Sequence, residues 1–80
     1  MTIPEELQGT IITNPEILGG TPCFKGTRVS LATFLDHIEV GCSLNVFLKG
    51  YSSVHREQAE AVLHWLSKRS RESMGLEIAS

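Results

Sequence analysis

Several devices that stabilise or anchor small proteins are missing from this sequence. Only two of its 80 residues are cysteine, Cys23 and Cys42, so a disulfide framework is excluded and both thiols are expected to stay reduced as small hydrophobes. Those two and the three histidines, His37, His55 and His64, contain no C-x-x-C or H-x-x-x-H pair, which argues against a structural metal. No apolar run approaches the roughly 20 residues of a membrane span. The start, MTIPEELQG, has acids where an export signal carries bases and lacks its apolar stretch, so the expected compartment is the cytoplasm. A basic surplus is absent too: seven Lys and Arg face nine Asp and Glu, for a net charge of −2. The whole molecule therefore has no long-range attraction for nucleic acid.

What is present is dense backbone punctuation. The stretch GGTPCFKGTRVS, from Gly19 to Ser30, reads as a tight hairpin or sharp bend with Lys25 and Gly26 at its tip. Before it, Thr10-Ile11-Ile12-Thr13 is a β-branched run halted by Asn14-Pro15, a short strand whose expected partner is the segment Thr27 to Val29. After it, Ser30 precedes Leu31, Phe34, Leu35 and Ile38 at helical spacing, with Asp36, His37 and Glu39 turned away. Gly41 stops that helix. Ser43 starts a short second one with Leu44, Phe47 and Leu48 on its apolar face, ended by Gly50. A third helix, capped by Ser53 or His55, buries Ala59, Val62, Leu63 and Leu66.

The expected fold is mainly α: three short helices behind an N-terminal strand and hairpin. Residues 1–9 show no periodicity and read as a loose arm; residues 10–72 form the single domain; residues 73–80 read as a frayed tail after Gly75 breaks the helix. Eighty residues are near the lower limit for a self-sufficient core, and a small open sheet invites pairing, so a homodimer through the sheet is expected.

Asn14-Pro15, Gly19-Gly20, Pro22, Gly26-Thr27-Arg28, Gly41, Ser43, Tyr51 and the helix start Arg56-Glu57-Gln58 form, as an ordered set, a pattern that resembles the domain of unknown function 433 family. The resemblance covers roughly two-thirds of a chain of this size. It implies a homeodomain-like helix-turn-helix and the role of a small bacterial antitoxin in a toxin-antitoxin pair. The partners so implied are a toxin protein, such as a PIN-like nuclease, and operator DNA. The sequence departs from the family pattern at Ser30-Leu31, Asn45-Val46 and Ser52; Val46 beside Phe47 adds apolar surface to the second helix.

In a helix-turn-helix, the later helix presents its first turns to base edges. That nominates Arg56 and Gln58 as readers, with Lys68, Arg69 and Arg71 as phosphate anchors. The plainer reading is an i,i+4 pair of Arg56 with Glu60, and basic residues complementing the helix dipole. Lys25, Thr27, Arg28, Val46 and Phe47 are nominated for a protein partner, against the plainer reading of Arg28 as a staple to Asp36, Glu39 or free carbonyls of its own or a sister chain. GGTPCFKGT lacks the GKS/T ending of a phosphate loop, and Pro22 removes an amide donor. Cys23 would need a histidine and a carboxylate assembled by folding to act as a nucleophile. The expected protein is no enzyme and needs no cofactor; its alternative is a homodimeric interaction module that does not bind DNA.

Overall fold

A computed structural model describes residues 3–76 of the chain. In order come a 3-10 turn Glu5–Leu7, strand β1 Ile11–Ile12, a turn Leu18–Gly20, strand β2 Cys23–Phe24, and helices α1 Leu31–Glu39, α2 Leu44–Gly50 and α3 Arg56–Ser73. The architecture is mainly helical, three helices with a small antiparallel hairpin before them, as the sequence predicts.

Local chemistry sets the helix ends. Ser30 and Ser43 each accept a hydrogen bond from the backbone amide three residues on, at Thr33 (3.0 Å) and Val46 (3.2 Å), satisfying donors that a helix start otherwise leaves open. α1 is closed by Gly41 at φ +90°. With the chain turned left-handed there, the Cys42 amide reaches back to the His37 carbonyl (2.9 Å) and the Gly41 amide to Ile38 (3.0 Å), a Schellman closure. Of the two candidates for α3, His55 is the N-cap, and its own amide donates to Gln58 Oε1 at 2.9 Å.

The sheet differs from expectation. β1 pairs with Cys23–Phe24, with Ile11 opposite Phe24 and Ile12 opposite Cys23, and not with Thr27 to Val29. The latter segment folds back on the other side of β2: Phe24 N–H donates to the Val29 carbonyl at 3.1 Å and Cys23 bridges Ser30. β2 is thereby flanked on both sides. Its apolar side chains Cys23 and Phe24 are both buried, whereas the Thr27 hydroxyl is consumed by the turn described below.

Phe24, Phe34 and Phe47, one each from the hairpin, α1 and α2, meet at the centre, with Phe34 edge-on to Phe24 (5.6 Å between centroids) and to Phe47 (4.7 Å). Leu7, Ile11, Val54, Ala59 and Val62 complete the buried cluster. Leu7 and His37 are placed differently from the sequence reading. Leu7, in the supposed loose arm, is buried and its turn packs on α3. His37, expected to turn away, is half-buried with its ring against Phe47 and Tyr51. At the far end α3 continues to Ser73 and closes at Gly75, where the Leu76 amide donates to the Arg71 carbonyl at 2.7 Å; residues 77–80 of the expected tail lie outside the described residues.

Candidate functional site

The hairpin tip is a four-residue turn in which the Thr27 amide donates to the Phe24 carbonyl at 3.0 Å. Gly26 occupies its third position at φ +79°, where a type II turn favours glycine. Thr27 is 6% exposed. Its hydroxyl donates to the Phe24 carbonyl (2.9 Å) and accepts from the Val29 amide (3.0 Å), so both its hydrogen-bonding roles serve the turn. Thr27 is therefore no partner contact, contrary to the sequence reading. Thr27→Val, which keeps the volume and deletes the hydroxyl, is expected to cost about 1–3 kcal/mol by stranding the Val29 donor. Urea denaturation measures it; Thr27→Ser should lose clearly less, and equal losses would show that the hydroxyl is not the cause.

The hairpin tip is seated at the start of α3. Gln58 Nε2 donates to the Lys25 carbonyl at 3.0 Å while Gln58 Oε1 accepts from the His55 amide. Both ends of the Gln58 amide are thus engaged, in a tie between segments 33 positions apart in the chain. Arg56 reaches across to Asn45 Oδ1 of α2 and lies 3.9 Å from Glu60. These contacts bring Arg56 and Gln58 of the nominated nucleic-acid set beside the nominated hairpin tip and the first turn of α2. There Lys25, Arg28 and Arg56 are exposed cations and Val46 is an exposed apolar side chain, 57% accessible. Arg28 makes no ion pair with Asp36 or Glu39 among the described residues.

Phe47, nominated alongside Val46, is 1% exposed and stacked on Tyr51 at 4.9 Å. It belongs to the core, and of the nominated pair only Val46 is exposed. The nominated nucleic-acid residues also separate. Arg71 is 15 positions beyond Arg56 on the same helix, about 22 Å at 1.5 Å per residue. At that far end Arg69 lies over the Trp65 ring at 6.0 Å, and Arg71 Nε donates to Ser67 Oγ at 3.1 Å. Lys68 is exposed.

Cys23 is buried, with its Sγ 3.2 Å from the Thr21 carbonyl. Among the described residues no group of three or more His, Cys, Asp and Glu gathers to hold a metal, and no helix is long and apolar enough to cross a membrane. Sequence reasoning missed the Gln58 tie and the Asn45 contact of Arg56. Helical spacing places Gln58 beside the helix cap, but nothing local identifies Lys25 as its second partner.

A family model described as protein of unknown function (DUF433) matches residues 11–65. No curated protein and no solved structure matches the chain.

Proposed function

The chain belongs to the family of proteins of unknown function DUF433, and on that footing we propose that it is a non-catalytic, antitoxin-like regulator that binds a cognate toxin protein through the surface made by the hairpin tip, α2 and the start of α3. The observation that carries this reading is the Gln58 tie to the Lys25 carbonyl, which fixes the cationic tip beside Arg56 and Asn45. Exposed Lys25, Arg28 and Arg56, with Val46 exposed on α2 next to the Asn45 that Arg56 reaches, suit an acidic protein face with an apolar recess, even though the net charge of the chain is −2. Buried apolar anchors rimmed by charge are the usual anatomy of such contacts. The toxin identity in this proposal, a PIN-like nuclease, comes from the family resemblance alone.

Operator DNA is the second proposed partner, entered by α3 in the helix-turn-helix manner. One observation favours the alternative, an interaction module without DNA binding: Gln58 and Arg56 are held by protein groups, while Glu57 and Glu60 are exposed on the same helix and would repel phosphates. The test is co-expression with the product of the neighbouring gene. The wild-type chain is expected to co-purify with that product and to quench its toxicity, and Lys25→Glu with Arg28→Glu to lose both. Unchanged capture by that variant would reject this surface. A mobility shift on the upstream DNA that weakens with salt, and with Lys68→Glu and Arg69→Glu, supports the DNA arm; no shift at low salt removes it.

A further inference from the structure

We propose that the solvent face of α3 is a self-complementary interface through which two copies of this chain pair with their α3 helices antiparallel. At 3.6 residues per turn, Glu57, Glu60, His64, Lys68 and Arg71 fall on one stripe, opposite the face carrying Ala59 and Val62. All five are exposed, whereas Ala59 and Val62 are buried. The stripe therefore points away from the core along most of a helix of 18 residues.

Its charges are ordered: acids in the first half, bases in the second, His64 between them. Glu57 and Arg71 stand seven positions on either side of His64, and Glu60 and Lys68 stand four positions on either side. A twofold axis beside His64 that sets two such helices antiparallel brings Glu57 toward the partner's Arg71 and Glu60 within reach of the partner's Lys68, and both contacts occur twice. A parallel arrangement sets like charges together. The charge pattern thus selects one orientation. Ala61 and Ser67, three positions on either side of His64, are small enough to let the helices approach.

This stripe also accounts for Glu57 and Glu60, acids with no role in reading DNA. It meets the proposed toxin surface only at the first turns of α3, where Glu60 lies 3.9 Å from Arg56, and its test reads self-association and not toxin capture. Paired in this way, α3 is covered, so self-association and insertion of α3 into a DNA groove exclude one another. Because the contact is polar and exposed, the association is weak and salt-sensitive.

The full chain tests this by sedimentation equilibrium. Wild type is expected to dimerise at low ionic strength, with its dissociation constant rising roughly tenfold or more near 0.5 M salt. Glu57→Arg with Glu60→Lys makes the stripe wholly basic, and Lys68→Glu with Arg71→Glu makes it wholly acidic. Each variant alone is expected to be monomeric, and an equimolar mixture to form a one-to-one heterodimer. All four changes in one chain should restore the homodimer, which keeps the proposal testable if one double variant folds poorly by circular dichroism. A wild type that stays monomeric, reversal variants that dimerise like wild type, or folded complementary variants that ignore one another would each overturn the proposal.

Discussion

Phe47→Ala is expected to bring the chain to the edge of unfolding at room temperature. The ring is 1% exposed and touches aromatic groups on every side: Phe34 at 4.7 Å, Phe24 at 6.4 Å, His37 at 5.5 Å and Tyr51 at 4.9 Å between centroids. Truncating a buried phenylalanine to alanine costs about 3–5 kcal/mol from lost transfer free energy and the cavity left behind. Losing the edge-to-face and stacked pairs belongs at the upper end of that range. A domain of this length holds roughly 4–12 kcal/mol in all. Phe47 meets Phe24 of the hairpin and Phe34 of α1 at the centre of the core, so the packing of hairpin, α1 and α2 should fail together. Urea denaturation followed by circular dichroism measures it, and the midpoint should fall by about 2 M or more. If Phe47 were instead a partner contact, the variant would melt like wild type and lose only its partner, and that result would remove it from the core. Phe47→Leu, which fills most of the space, should lose clearly less.

Phe47 also shows how far the sequence could be read. Its spacing from Leu44 puts it on the apolar face of α2, and that inference is local and correct. Assigning it to a partner surface rested on the neighbouring Val46, and only the packing of α1 decides which of two adjacent apolar residues faces inward. Helix starts and stops were legible for the same local reason: Ser30, Ser43 and Gly41 do their work within three or four residues. Strand pairing was not. Thr27 to Val29 has the composition of a strand, but the Thr27 hydroxyl is committed to the Phe24 carbonyl and Val29 amide, and the sheet takes Cys23–Phe24 instead. The candidate surface was half legible. Its cations are visible as charged residues, yet the contact that gathers them, Gln58 to Lys25, spans the whole of α1 and α2 and has no sequence signature.

The other large effect is expected where the sequence looked least structured. Leu7→Ala should cost about 2–5 kcal/mol, since Leu7 is 1% exposed and its 3-10 turn packs on α3. The segment is tied down by its own backbone: Leu7 N–H to the Pro4 carbonyl at 2.9 Å, Gln8 to Glu5 at 3.2 Å and Thr10 to Leu7 at 3.0 Å. One buried side chain among the described residues 3–9 leaves no period to detect, which is why the arm read as loose. In a domain this small, 1 kcal/mol moves the melting temperature by about 4–8 °C, so Leu7→Ala should lower it by at least about 8 °C. Removing residues 1–9 deletes the same side chain together with Ile3, which packs against the core, and should lower it at least as far. Glu5→Ala, an exposed position in the same turn, serves as the control and should shift it by no more than a degree or two. If Leu7→Ala and the truncation both melted like this control, the arm would be dispensable to the fold and α3 would have to be held by the rest of the core and by its Gln58 and Arg56 contacts.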